Sequence, residues 1–217
     1  VLNSEMIAYP LTRLDTCVMS DGAAVCILAD ADTAYQLTDK PVLIKGVGTG
    51  TDAMRMSDRP HQSYDEFYRY NALPNEMDEE SRAYYKALWD RGFRYPGIHS
   101  FRAGRMASKE AYKMAGITDP LNQIDFIELH DAYTSSEIQT YEDMGLCRYG
   151  EGGKFVEEGN PFMPNIDYGL DLPKQGRIPV NPSGGLIACG HPVGATGLMS
   201  AVFAFWQLQG TIEKHFG

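Results

Sequence analysis

The sequence has no pair of cysteines spaced closely enough to form a CxxC motif. Its four cysteines are scattered along 217 residues, at Cys17, Cys26, Cys147 and Cys189. Structural zinc sites need clustered ligands, so we expect no metal site. Scattered thiols are typical of a reducing compartment, where disulfides are rare, and we therefore predict a cytoplasmic location.

The sequence also lacks a surplus of basic residues and any long apolar run. It has 19 lysines and arginines against 29 aspartates and glutamates, a formal net charge of −10. It therefore has no excess cation to neutralise phosphates, which argues against nucleic acid as the main partner. It contains neither a transmembrane-length apolar stretch nor a signal peptide, so we expect no membrane attachment. With 43% hydrophobic residues, the chain should fold around a packed core.

Short apolar runs and helical patterns alternate in the chain. Residues 24–28 and 42–47 are predicted to be strands, the first of them buried, with a short helix, ADADTAYQL, between them. A strand, helix and strand in this order predict an α/β layered fold. Further along, IDFIEL predicts another strand, and the helix after it places Ile138, Tyr141 and Met144 on one face.

The middle of the chain is rich in tyrosine and charge. We predict a long loop over residues 51–100, with one helix over 78–91. A second helix is predicted over 103–115, with Gly116 as its C-cap. Residues 148–180 are turn-rich and are predicted to form a surface excursion.

Residues 181–197, NPSGGLIACGHPVGATG, are the most distinctive stretch. Glycine and proline make it poor helix and poor long strand, but suited to hold side chains and amide N–H groups in a crowded place. His191 lies inside it, before a predicted buried helix that stops at Gly210. A helix start favours bound anions and developing negative charge. The apolar residues of that helix are Leu198, Val202, Phe205 and Leu208.

A second histidine, His130, lies where the strand IDFIEL ends and the next helix begins, in the sequence HDAY. Ligands of α/β sheets bind at the carboxyl ends of strands, so we expect His130 and His191 to meet in space. Imidazole titrates near neutral pH, and such a pair can activate a nucleophile and polarise a carbonyl.

These motifs resemble the thiolase superfamily. GGLIACGHPVGATG, preceded by PVNPSGG, is similar to the thiolase histidine loop, with agreement at all eight positions from 190 to 197. SDGAAVCIL is similar to a segment near the end of the thiolase N-terminal half. HDAYTSSEIQTYEDMGL resembles the branch related to sterol-carrier-protein thiolases, which carry a His-Asp-x-aromatic motif. The resemblance spans residues 9–210.

The resemblance implies an α/β layered thiolase-like fold, of which this chain would be the C-terminal portion. Residues 1–50 would close the N-terminal half-domain, and residues 51–118 would be a connecting, partly helical excursion. Residues 119–217 would form most of the C-terminal half-domain, without its closing strands. The implied activity is acyl-CoA C-acyltransfer, by Claisen condensation or its reverse. Coenzyme A thioesters would be the substrates, with no further cofactor.

Catalytic roles follow from the same resemblance. His191 falls on the histidine that deprotonates the nucleophilic cysteine. His130 falls on the position that helps build the oxyanion hole for the second acyl-CoA. Four loop residues either bind substrate or shape the loop: Ser183, Gly184, Gly185 and Gly190.

The sequence departs from the family pattern at the nucleophile and at the second acid/base. No cysteine outside the histidine loop has the surroundings of the family nucleophile, which belongs to an N-terminal half expected to lie outside this chain. Ala132 stands where the sterol-carrier branch can place an acid/base cysteine. We therefore expect that the second acid/base group either lies beyond Gly217 or is replaced by another residue. Tyr133 is one replacement, because thiolase-like aldolases use tyrosines; Cys189, which shares a strand face with His191, is another.

Other functions and several partners stay open. The chain could belong to a thiolase-fold aldolase acting on a β-hydroxyacyl-CoA, or it could be a non-catalytic thiolase-like module. We expect a homo-oligomer, with a separate chain supplying the nucleophile or a zinc-bearing accessory subunit as alternatives. Cations on the predicted helix 103–115 either bind coenzyme A phosphates or face solvent: Arg102, Arg105, Lys109 and Lys113.

Overall fold

The computed structural model describes residues 3–95, 97, 102–164, 166, 169 and 176–216. An antiparallel hairpin of β1 (Met6–Ala8) and β2 (Leu11–Thr12) lies near the start of this part of the chain. Single-turn 3-10 helices lie at Arg13–Asp15, Met56–Asp58 and Pro74–Glu76. The α-helices are α1 (Ala31–Leu37), α2 (Tyr64–Asn71), α3 (Glu79–Asp90), α4 (Arg102–Ala115), α5 (Pro120–Gln123), α6 (Thr134–Asp143), α7 (Gly152–Glu157), α8 (Gly185–Cys189), α9 (Thr196–Gln209) and α10 (Glu213–Phe216). Among the described residues, no helix combines the length and the apolar character needed to cross a membrane.

The predicted helices of the middle region are confirmed as α3 and α4, and ADADTAYQL is confirmed as α1. Asp78 is the N-cap of α3, and its carboxylate accepts the N–H of Ser81 at 2.7 Å. α4 is followed by Gly116, which has φ of +73° and is the predicted C-cap. The helix after HDAY is confirmed as α6.

Helix α2 is missing from the prediction, which places one helix in residues 51–100. A capping box starts this helix: Glu66 accepts the N–H of Ser63 at 2.9 Å, and the Ser63 hydroxyl accepts the N–H of Glu66 at 3.4 Å. The predicted long loop is therefore wrong where α2 forms. The aromatic side chains of this region pack into a core around α2 and α3. Its buried members are Phe67, Tyr68, Ala72, Tyr85, Leu88, Tyr95 and Tyr149.

A buried ion pair anchors α4 to this core. The side chain of Arg105 is 0% exposed and pairs with Glu76, which is 3% exposed. The same guanidinium donates to the carbonyl oxygens of Asn71 at 2.9 Å and Glu142 at 2.7 Å, and Tyr85 donates to Glu76 at 2.5 Å. Both readings of Arg105 as a surface cation, in solvent or on a coenzyme A phosphate, are therefore wrong.

A second core lies under the segment that carries HDAY. Its buried members are Ile127, Leu129, Tyr141, Leu146, Phe155, Ile178 and Val180. The predicted strand IDFIEL supplies two of these residues, but the structure assigns it only an isolated parallel bridge between Ile127 and Val180. Phe155 belongs to α7, so residues 148–180 contribute a helix and core residues as well as surface turns.

The predicted strands at 24–28 and 42–47 are not strands in the described part of the chain. Apolar side chains in both segments face solvent, with Val25 80%, Ile27 89% and Ile44 66% exposed. The expected burial of residues 24–28 is therefore wrong. A strand needs a partner backbone to satisfy its N–H and C=O groups, and no described residue forms a ladder with either segment.

One side of residues 46–50 nevertheless packs closely on α4. Two residues of extended chain span about 6.6 Å and four residues of helix about 6 Å, so the two repeats match. A Cβ atom on Gly48 would overlap the carbonyl oxygen of Ala107. Each glycine of this segment faces an alanine of α4: Gly46 faces Ala111, Gly48 faces Ala107 and Gly50 faces Ala103.

The helix after the histidine loop is confirmed as α9, with Gly210 at φ of +66° as its end. It is more exposed than predicted, because Leu198 and Leu208 both face solvent and Phe203 is its buried aromatic residue. The loop itself contains the short helix α8, where the glycine and proline content predicts no helix.

Candidate active site

Three separate segments meet around the two histidines. Residues 16–19 lie between them and bond to both sides. The N–H of Cys17 donates to the carbonyl of Ala132 at 3.0 Å, next to His130. The N–H of His191 donates to the carbonyl of Val18 at 2.9 Å. One short stretch of backbone thus holds the HDAY segment and the histidine loop together.

The side chains of His130 and His191 are in contact. Their ring centroids are 4.9 Å apart, and the rings meet edge to face at 77°. The expectation that these two histidines meet in space is confirmed. Both lie just before a helix, α6 and α9 respectively.

Thr196, at the start of α9, is a hydrogen-bond partner of the His191 ring. Nδ1 of His191 lies 2.7 Å from Oγ1 of Thr196. The same hydroxyl lies 3.1 Å from the carbonyl oxygen of Pro192 and has a single hydrogen, so it accepts from the imidazole when that hydrogen is donated to Pro192. In that arrangement neutral His191 carries its proton on Nδ1 and leaves Nε2 as a lone-pair acceptor, as a general base requires.

The environment of His130 favours neutral imidazole. Partial burial, followed by the neighbouring His191, lowers the pKa of His130 below its ordinary value of 6.5, while Asp131 opposes the shift. At pH 7 the ring is therefore mostly neutral, and it offers one N–H as a hydrogen-bond donor.

The loop residues predicted to bind substrate use their polar groups to shape the loop, and their contact with substrate stays a prediction. Ser183 donates its hydroxyl to Glu128 at 2.7 Å and its N–H to the same carboxylate at 3.1 Å. Gln207 of α9 donates to Glu128 at 2.6 Å. Gly184 is the left-handed residue before α8, at φ of +96°, and Gly190 follows α8.

All four cysteines are described and are free thiols. Burial raises the pKa of the thiols of Cys17, Cys147 and Cys189, so these groups are poor thiolates at neutral pH. The expected strand face shared by Cys189 and His191 is wrong, because Cys189 is the last residue of helix α8. Its thiol donates to the carbonyl of Ser183 at 3.6 Å, which directs it towards the loop backbone. Tyr133, the other replacement for the acid/base, is 48% exposed and precedes α6.

Sequence reasoning missed three polar residues of this site. Glu128 and Asp131 lie on either side of the HDAY start and bond to the histidine loop. Thr196 orients His191. These three residues could have been selected by their positions in the sequence. Two carboxylates flank His130, and one hydroxyl residue follows His191 inside the same glycine-rich motif.

A model of the thiolase C-terminal domain-like family matches residues 94–215, more than half of the sequence. The chain therefore belongs to this family, which confirms the resemblance drawn from the histidine loop.

Relatives match along almost the whole chain. Acetyl-CoA acetyltransferase of Methanothermobacter thermautotrophicus is 36% identical over 99% of this chain and 43% of its own length. Sterol carrier protein 2 of Homo sapiens is 34% identical over 99% of this chain and 31% of its own length. The chain thus spans less than half the length of each.

A solved structure entitled Ltp2-ChsH2(DUF35) aldolase superposes on 96% of this chain and 42% of that chain, with a TM-score of 0.60 and 22% identity. At this identity the match establishes the fold, and it confirms the α/β thiolase-like class.

Proposed function

We propose that this chain carries the histidine part of an acyl-CoA C-acyltransferase active site. The observation that carries the proposal is the contact between His130 and His191, whose ring centroids are 4.9 Å apart. The bond between His191 and Thr196 supports it, because that bond engages Nδ1 and not Nε2. The chain belongs to the thiolase C-terminal domain-like family, and its archaeal relative is named acetyl-CoA acetyltransferase.

In the proposed reaction, Nε2 of His191 removes the proton of a cysteine thiol. The thiolate attacks the thioester carbonyl of a first acyl-CoA, an acyl-cysteine forms, and coenzyme A leaves as a thiol after taking a proton. In condensation, a second acyl-CoA loses an α-proton to the acid/base group and attacks the acyl-cysteine. The new carbon–carbon bond forms as the bond to the cysteine sulfur breaks.

His130 is proposed as an oxyanion donor in the second half of this reaction. Its pKa lies below the ordinary value, so a neutral N–H is available at pH 7 to the enolate oxygen of the second acyl-CoA. A single donor of this kind contributes about 3–4 kcal/mol to transition-state stabilisation.

The nucleophilic cysteine is proposed to come from polypeptide outside residues 1–217. Burial disfavours the thiolate at three of the four cysteines here. Segments 24–28 and 42–47 expose apolar side chains and form no ladder with any described residue, as an uncovered strand edge does. We propose that the polypeptide bringing the cysteine pairs with these segments. We also propose that the protein is a homo-oligomer. Its free thiols support the further proposal of a cytoplasmic location.

Thiolysis of acetoacetyl-CoA tests this assignment. The chain alone should show no turnover, and the complete protein that includes the cysteine should show it. His191→Ala in the complete protein should lower kcat by about 10³-fold or more, since it removes the base for the nucleophile. His215→Ala is the matched control, because His215 of α10 stacks on Trp206 of α9 and its substitution should leave turnover unchanged. Robust turnover by residues 1–217 alone would show that the nucleophile lies within them.

A thiolase-fold aldolase acting on a β-hydroxyacyl-CoA is the second candidate. It is favoured by the half-exposed side chain of Tyr133 beside the histidine segment, and by the aldolase title of the superposed structure. Mass spectrometry of the complete protein after exposure to acyl-CoA separates the two. A covalent acyl-cysteine supports the acyltransferase, and its absence together with loss of cleavage in Tyr133→Phe supports the aldolase. If His191→Ala left the complete assembly fully functional, the chain would instead be a non-catalytic module.

A further inference from the structure

The segment that carries His130 is joined to the histidine loop by a buried carboxylate. Asp131 is 3% exposed, and its Oδ1 accepts the N–H of Leu186 at 2.8 Å, with a longer contact of 3.5 Å between Oδ2 and the N–H of Ile187. These N–H groups belong to the first turn of α8, where the helix leaves its backbone donors without intrahelical partners.

Gly185 makes this approach possible. Its φ is +62°, a conformation that side chains rarely adopt, and a Cβ atom there would overlap the carboxylate of Asp131. The loop backbone at Gly185 therefore lies directly against the carboxylate of Asp131, and no residue with a side chain would fit at this position.

The two ends of this contact lie at the two histidines. Asp131 is covalently next to His130, and α8 ends at Cys189, two residues before His191. The backbone bond from the N–H of His191 to Val18 fixes the far end of the same loop. Displacing α8 from Asp131 would therefore move one imidazole relative to the other.

We propose that Asp131 is a positioning residue, which holds α8 against the HDAY segment and so sets the edge-to-face contact of His130 with His191. The inference deepens the function proposed above, on which its catalytic relevance rests, and it assigns Asp131 no contact with substrate. A hydrogen bond to a charged carboxylate is stronger than one to a neutral oxygen, which suits a residue that has to fix a loop rich in glycine.

NMR spectroscopy of the labelled chain tests the proposal without substrate. The native chain should show a nuclear Overhauser effect between the ring protons of His130 and His191, and slow exchange of the Leu186 amide. In Asp131→Ala the ring contact should disappear, and the Leu186 amide should exchange about tenfold faster or more. Retention of both signals in a folded Asp131→Ala chain would overturn the proposal.

Glu142→Ala is the matched control for a general loss of stability. Glu142 accepts the N–H of Gly152 at 2.9 Å, so it holds the start of the short helix α7 in the way that Asp131 holds α8. It should lower the melting temperature and speed exchange at Gly152 while the ring contact of the histidines persists. Loss of the ring contact in this control would mean that any destabilisation separates the histidines, and it would overturn the specific role of Asp131.

Asp131→Asn covers the case in which Asp131→Ala fails to fold. The amide has the same shape and offers one neutral oxygen, so exchange at Leu186 should rise severalfold and the ring contact should weaken. Unchanged exchange and an unchanged ring contact in Asp131→Asn would overturn the proposal. These signals are read in the absence of acyl-CoA, so they are independent of whether the thiolysis assay succeeds.

Discussion

Oγ1 of Thr196 lies 2.7 Å from Nδ1 of His191 and 3.1 Å from the carbonyl oxygen of Pro192, so it can accept from the imidazole while it donates to Pro192. Thr196→Val removes this acceptor, so the proton of neutral His191 is expected to redistribute between the two ring nitrogens. Nitrogen chemical shifts of the imidazole should report the change. In the complete protein, loss of one such bond, about 1 kcal/mol, should lower kcat about fivefold.

Thr140→Val is the control for Thr196→Val. Thr140 donates to the carbonyl of Ser136 at 2.8 Å inside α6, so the same atoms are removed away from the imidazole. It should leave the tautomer of His191 unchanged. An unaltered His191 spectrum in Thr196→Val would contradict the assignment of Nε2 as the acceptor.

His191→Gln should raise the pKa of His130 towards 6.5. Burial is the larger cause of its low pKa and remains in the variant, but the neighbouring imidazole no longer opposes protonation. Titration of the ring protons by NMR measures the change. The control His215→Gln should leave the titration of His130 unaltered, and a pKa of His130 that stays constant or falls in His191→Gln would contradict the coupling.

The low pKa of His130 also has a consequence for stability. The folded state holds the proton of His130 more weakly than the unfolded state does. The contribution of His130 to the free energy of unfolding is therefore fully present above the unfolded pKa of about 6.5. It is lost as pH falls from there through the lower folded pKa. Urea unfolding at pH values from 8 to about 5 should show this slope, and His130→Gln should reduce it.

Gly48→Ala should destabilise the chain by about 1–3 kcal/mol. The new Cβ would overlap the carbonyl oxygen of Ala107, which is backbone and can yield only if α4 shifts. Gly153→Ala is the matched control, because it lies in α7 with open space around it and should stabilise by about 0.5–1 kcal/mol. Urea unfolding measures both, and equal effects of the two substitutions would show that residues 46–50 do not pack on α4.

Glu76→Gln should cost about 3–5 kcal/mol of unfolding free energy, since it leaves the buried guanidinium of Arg105 without its counter-charge. The exposed pair of Asp65 and Arg82, 2.9 Å apart, provides a contrast, and Asp65→Asn should change stability little. Chemical unfolding of both variants tests this difference. If Glu76→Gln lowered the unfolding free energy no more than Asp65→Asn does, the guanidinium of Arg105 would have to be hydrated, which contradicts its burial.

The histidines could be identified from sequence because each stands in a dense local motif, whereas the groups that orient them could not. Thr196 is the first residue of α9, next to the N-cap position at which threonine is common, so its bond to His191 is visible only in three dimensions. Glu128 and Asp131 likewise bond to residues 55 positions away along the chain. Non-local pairs of this kind leave no periodic signal.

Helices were predicted better than strands for a related reason. A helix satisfies its own backbone, so α3 and α4 follow from local pattern and caps. Residues 24–28 have the composition of a buried strand, but the partner that would bury them is not among the described residues. The division of the chain at residues 50 and 118 stays a prediction.

Residues 16–19 touch the backbone of both histidine segments at once, through Ala132 and His191. In a two-stage reaction, one imidazole would serve mainly the loading of the enzyme and the other mainly the formation of the new bond. A substitution in residues 16–19 would then alter the position of both imidazoles, so it should lower the rates of both stages by similar factors. Selection on either stage would therefore constrain the same four residues.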